Sequence, residues 1–158
     1  MNVRSVIGSA MAAVALSFLG TGIASADSGV IEADNSDFLV GDTLYFNEFA
    51  TQCAIHANGD VACDLGQGNK LWGLIPISDI VIDGSFLPAH PTFGLGGQHG
   101  NPNARQLWDV PRPPGNVYAG TQFDYAGATC LGGRPHGGGL TCTSHGHTFT
   151  LGTQTSIG

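Results

Sequence analysis

Six histidines, four cysteines and twelve carboxylates are the side chains of this sequence that could do chemistry. His145 and His147 stand two residues apart. On a β-strand that spacing sends both imidazoles to one face, where they would share a metal ion such as zinc or copper. His136 lies in the turn of the same hairpin and offers a third ligand. The competing assignment has His147 packed within the hairpin and His145 and His136 in water. The cysteines fall into two groups, Cys53 with Cys63 and Cys130 with Cys142. An even count in an exported chain reads as disulfides, here Cys53–Cys63 and Cys130–Cys142, each closing one short loop. Both bridges together leave no thiol to bind metal, and no C-x2-C spacing supports a four-thiolate zinc site.

Hydrolytic chemistry is poorly served. Serine catalysis needs a Ser activated by a His and an acid. None of Ser28, Ser36, Ser78, Ser85, Ser144 and Ser156 lies in G-x-S-x-G, and Asp83-Gly84-Ser85 reads as a turn. Asp60, Asp64, Asp79 and Asp83 suit turn formation and solvation rather than a glycosidase pair. Gly94 to Gly100 (GLGGQHG) has a phosphate-loop flavour without the G-K-[ST] ending, and reads as a mobile loop. No catalytic residue and no cofactor is assigned, so an enzyme is the weaker expectation. Trp108, between Arg105 and Arg112, would stack on a sugar or a partner's proline, or would pin the loop that carries it. Trp72 sits in an apolar run and is expected in the core.

The elements that must position these groups follow from composition and pattern. Met1 to Arg4 give a short positive region, Val6 to Gly20 an apolar stretch, and Ala24-Ser25-Ala26 a small-x-small site. This predicts a signal peptide over residues 1–26, cleaved before Asp27, and a secreted or cell-envelope location. No later segment is long and apolar enough to span a membrane. Residues 27–37 (DSGVIEADNSD) read as a loose acidic arm, and residues 38–158 as one β-rich domain. The formal net charge of −7 argues against nucleic acid and anionic lipid as partners. Twenty-five glycines and a dearth of helix formers exclude a helical bundle.

Thr51 to Asp64 is the clearest hairpin. Cys53 opposite Cys63 centres its turn on Asn58, leaving Ala57-Asn58-Gly59 as a three-residue loop whose third residue wants the left-handed region. Leu71 to Phe86 reads as two short strands or one bent strand at the core, since Pro76 blocks a helix. Residues 87–116 form a long Gly/Pro-rich connection, and a loop of that length is either functional or mobile. Arg134 to Gly139 (RPHGGG) reads as a turn, and Leu140 to Thr143 and His147 to Leu151 as strands. The fold expected is a small, mostly antiparallel all-β sandwich or partly open barrel with two intra-hairpin disulfides.

Phe46 to Cys63 (FNEFATQCAIHANGDVAC) is similar to an early two-cysteine phrase in small secreted proteins of mycobacteria, nocardiae and related actinomycetes. Tyr118 to Thr121, Cys130, Gly139 to Thr143 (GLTCT) and Gly146 to Phe149 (GHTF) resemble a later phrase in the same group. The resemblance implies a disulfide-stapled, β-rich exported domain and no particular activity. The function expected is a non-enzymatic module that binds an envelope or extracellular partner through Trp108, Arg105 and Arg112. Metal capture and a small secreted hydrolase are the alternatives.

Overall fold

The computed structural model describes residues 29–134 and 139–158. The expected leader and His136 lie outside the described residues. In chain order the strands are β1 (Val30–Glu32), β2 (Leu39–Val40), β3 (Thr43–Glu48), β4 (Thr51–Ile55), β5 (Val61–Asp64), β6 (Lys70–Leu71), β7 (Ile75–Pro76), β8 (Asp79–Ile82), β9 (Gly120–Tyr125), β10 (Ala128–Gly132), β11 (Leu140–Ser144), β12 (His147–Leu151) and β13 (Ser156–Ile157). Two single-turn 3-10 segments, Asn35–Asp37 and Leu107–Asp109, interrupt the connections.

Side chains alternate across a strand, so each strand sends every second residue inward. In β3 the inner row is Leu44, Phe46 and Glu48; in β4 it is Thr51, Cys53 and Ile55. The register then aligns Phe46, Cys53, Cys63 and Ile80 across the five-stranded sheet β2-β3-β4-β5-β8. A matching row of Phe123, Cys130, Cys142 and Phe149 crosses the six-stranded sheet β1-β9-β10-β11-β12-β13. Both rows are buried and belong to one core. The Phe46 and Phe123 rings stack with centroids 5.0 Å apart, and Phe38 meets Phe123 edge-on at 4.7 Å. The two larger sheets therefore face each other as an antiparallel sandwich, with one parallel pair, β1 on β9.

Both disulfides form as expected, Cys53–Cys63 and Cys130–Cys142, each joining directly opposed residues with Cα atoms 4.1 Å apart. That is the close, non-hydrogen-bonded type of antiparallel pair. The first hairpin closes through His56 and Asp60 over Ala57-Asn58-Gly59, with Gly59 at φ +90°. The β11–β12 hairpin turns at His145-Gly146, with φ +51° and +83°. Three hairpin tips meet at this end: Ser144 Oγ donates to the Gly59 carbonyl at 2.6 Å, and a Cβ on Gly59 would collide with the Ala126 carbonyl.

Three expectations differ from what forms. Residues 29–37 are no loose arm: Val30 and Ile31 pair with β9, and Asp37 holds Arg105 at 2.7 Å. The 71–86 run divides into the small sheet β6-β7 and the core strand β8. Trp72 is 52% exposed, at the tip of the β6-β7 tongue, because Leu71 and Ile77 take the buried positions beneath it. The long connection is anchored rather than free. Asn47 Nδ2 donates to the carbonyls of Pro102 and Ala104, and Leu107 is fully buried.

Candidate functional site

The end of the sandwich opposite the three joined tips carries a cleft of about 420 Å³. Its walls come from the β3–β4 turn (Glu48 to Thr51), the segment after β5 (Gly66, Gln67, Asn69), and the outer ends of β11 and β12 (Leu140, Leu151). Glu48 continues the core-facing row of β3, so backbone register alone drives this carboxyl inward, where it is 5% exposed. Gly132 packs beneath it: a Cβ there would crowd Leu107 and Leu140 at 2.9 and 3.0 Å and would only touch the Glu48 carboxyl carbon, at 3.6 Å. The Gly133 N–H donates to Glu48 Oε2 at 3.0 Å. Burial pushes the Glu48 pKa above the usual carboxylate value, while the Gly133 hydrogen bond and the nearby Arg112 charge pull the other way. A carboxyl held so, at the wall of a cleft, accepts hydrogen bonds or binds a positive group.

Phe49 forms the rim. It turns the chain at φ +53°, a region that bulky side chains rarely adopt, and is 59% exposed. Its ring packs on Trp108, centroids 4.7 Å apart, and Trp108 itself stays 39% exposed. Arg112 braces this pair: its guanidinium donates to the carbonyls of Trp108, Ala119 and Gly133. Arg105 spans Asp37 and the Asp109 carbonyl and lies over the Phe38 ring. Of the three residues expected to bind a partner, Trp108 thus reaches the cleft only through its contact with Phe49. Both arginines are engaged by the chain itself and position the loop.

The histidines separate. His145 occupies a turn, not a strand, so the shared face expected with His147 does not form. His145 Nε2 meets Asp60 Oδ1 at 3.0 Å, and His147 Nε2 donates to the Ser85 carbonyl at 3.2 Å. His90 Nδ1 donates to the Pro88 carbonyl. None of these contacts involves a hydroxyl. Among the described residues no group of three or more His, Cys, Asp or Glu is gathered as a metal cage.

The glycine-rich loop does form a nest of backbone N–H groups, and the chain fills it with its own anions. The Asp79 carboxylate accepts from the N–H groups of Thr92, Phe93 and Gly94 and from the Thr92 hydroxyl. Asp64 Oδ2 accepts from His99 and Gly100 N–H, both at 2.8 Å. Burial raises the Asp79 pKa, but these donors together outweigh it and hold the group below the usual carboxylate value.

Sequence reasoning missed Glu48 and Phe49. The signal was present: reading Leu44, Phe46 and Glu48 in strict alternation puts an acid in a core row, and such an acid marks a cleft or a polar partner. Among the described residues no helix is long and apolar enough to cross a membrane. No family model, no curated protein and no solved structure matches the chain.

Proposed function

We infer that this chain is a secreted or cell-envelope-associated binding module that works without catalysis. The carrying observation is the cleft lined by buried Glu48 and exposed Phe49, with Trp108 packed on the Phe49 ring. Exposed aromatics beside a recessed polar group are the ordinary make-up of a recognition site: the rings supply contact area and the polar group supplies orientation. Two buried disulfides fit work in an oxidising compartment. The resemblance to small exported actinomycete proteins points the same way.

Capture from cell-envelope fractions tests the reading. Immobilised wild-type protein should retain a component that Trp108→Ala and Glu48→Gln retain several-fold less. Equal retention by all three proteins would remove the cleft as the binding surface.

A further inference from the structure

We propose that the cleft is one end of a longer binding surface for an extended, uncharged polysaccharide. The proposal rests on the cleft reading above and assigns its ligand. Two further depressions, of about 470 and 340 Å³, adjoin the cleft, and Asn69 is a wall of all three. Together they wrap the segment Gly66 to Lys70.

Large exposed aromatics stand at three places around this surface. Phe49 edges the cleft, Trp72 precedes Gly73 of the second depression, and Phe93 lines the third. All three have left-handed backbone, at φ +53°, +51° and +56°, and the latter two are 52% and 62% exposed. For a residue with a Cβ this conformation costs roughly 1–2 kcal/mol, and it persists only where the surroundings impose it. Each ring has its own restraint. Phe49 is trapped between the paired residues Glu48 and Thr51. Trp72 N–H donates to the Thr155 carbonyl at 2.8 Å. Phe93 N–H is one of the donors gathered by buried Asp79. Hydrophobic burial explains none of these positions, because the rings face water.

Between the rings Gln67, Asn69, Thr51, Thr153 and Gln154 supply amides and hydroxyls, beside the apolar walls of Ala50, Leu140, Leu151, Pro76 and Ile77. Such groups donate and accept together, which suits the hydroxyls of a sugar. Flat ring faces suit the apolar C–H faces of pyranoses. Nucleic acid bases also stack on aromatics, but they bring phosphates that need Lys and Arg. Among the described residues Lys70 is the one cation bordering these three depressions, and the chain is acidic. A proline-rich peptide would fit the rings, yet its prolines bring no N–H donors to the amide and hydroxyl oxygens of this lining, whereas sugar hydroxyls donate and accept.

The chain holds two tryptophans: Trp72 adjoins Gly73 of the second depression and Trp108 packs on Phe49 of the cleft, so emission reports occupancy through these neighbours. The probes are hydroxyethylcellulose, glycol chitin, mannan, arabinogalactan and laminarin, with alginate and a polyproline peptide as the charged and peptide comparisons. Retardation in native gels containing a neutral polysaccharide, with a blue shift of emission, is expected for at least one of the five. Trp72→Ala and Phe93→Ala should each weaken that binding about tenfold, the scale of one lost stacking contact. Phe86→Ala, which removes an 85% exposed ring that neither lines a depression nor, unlike Trp72, adjoins a lining residue in the chain, should leave it unchanged. Unchanged melting of all three variants keeps the comparison one of binding. Failure of every neutral polysaccharide overturns the proposal, as does wild-type binding by the Trp72 and Phe93 variants. A shift with polyproline or alginate alone also overturns it while leaving the cleft intact. Loss of the cleft reading itself would appear instead as equal envelope capture by wild type and Trp108→Ala.

Discussion

Two buried carboxyls of this chain behave oppositely, and the difference is the number of donors each is given. Glu48 accepts one backbone N–H and is held above its ordinary pKa by burial. Its folded-state value exceeds its unfolded value, so the folded form keeps a proton that the unfolded form has released. Stability attributable to Glu48 therefore falls as pH rises through the unfolded value toward the folded one. Glu48→Gln, which retains an oxygen for Gly133 N–H, should remove that fall and raise stability at pH 7 by about 1 kcal/mol, the scale of an under-compensated buried charge. Urea unfolding of both proteins between pH 4 and 7 measures it; a glutamine variant less stable at pH 7 contradicts the argument. Asp79 has the reverse sign. Burial raises its pKa, but donors from Thr92, Gly94 and Phe93 bring it below the unfolded value. Its contribution is complete above the unfolded value and is lost as pH falls through the folded one. Asp79→Asn should lose about 2–3 kcal/mol at neutral pH, with the gap to wild type closing in acid. The same variant should loosen Phe93, which reads out as weaker polysaccharide binding if that proposal holds.

At the scale of elements, strands and their local turns were legible while the non-local ties were not. Period-two alternation and the cysteine spacing located the β4–β5 hairpin, its three-residue loop and both bridges, because each depends on residues near in sequence. β1 was read as an arm because its partner β9 lies some ninety residues away and nothing local announces the pairing. The apolar run through Trp72 was assigned to the core on hydrophobicity, yet a short tongue can bury only alternate residues, and Leu71 and Ile77 take those places. The long connection looked mobile for a similar reason. Its restraints are side chains of distant strands, Asp79, Asp64 and Asn47, that accept or donate to its backbone. Arg112 is the local restraint, and its planar fork serves four carbonyls at once, those of Trp108, Val110, Ala119 and Gly133. Arg112→Ala should destabilise the fold by about 2–3 kcal/mol and release the Trp108–Phe49 contact, seen as a red shift in emission. Arg112→Lys should restore little, since an ammonium cannot span that geometry. Full recovery by lysine would show that charge near Glu48, not the fork, is what matters.

The whole molecule has two unlike ends. At one, the β4–β5 and β11–β12 tips are joined through His145–Asp60 and Ser144–Gly59, with the β9–β10 turn close against Gly59; at the other, the turns carrying Phe49 and the residues beyond β5 stay apart and leave the cleft. Between them the two cysteine rows lie in a single core, where Phe46 of one sheet stacks on Phe123 of the other. A bridge in one sheet therefore supports both, because neither sheet can bury its inner face alone. Each closed loop of about ten residues contributes roughly 3 kcal/mol by the chain-entropy relation, against a total of about 5–15 kcal/mol for a domain of this size. Replacing Cys130 and Cys142 together by alanine should lower stability by about that amount and also remove the buried contacts of the sulfurs. Unfolding should nonetheless remain one transition, with far-UV signal and tryptophan emission coinciding. The test discriminates because Cys130 and Cys142 lie in the six-stranded sheet, whereas Trp72 lies in the β6-β7 tongue and Trp108 packs on the β3–β4 turn. Two separated transitions would mean that the sheets fold independently. The cleft, whose walls come from both, could then open without loss of either.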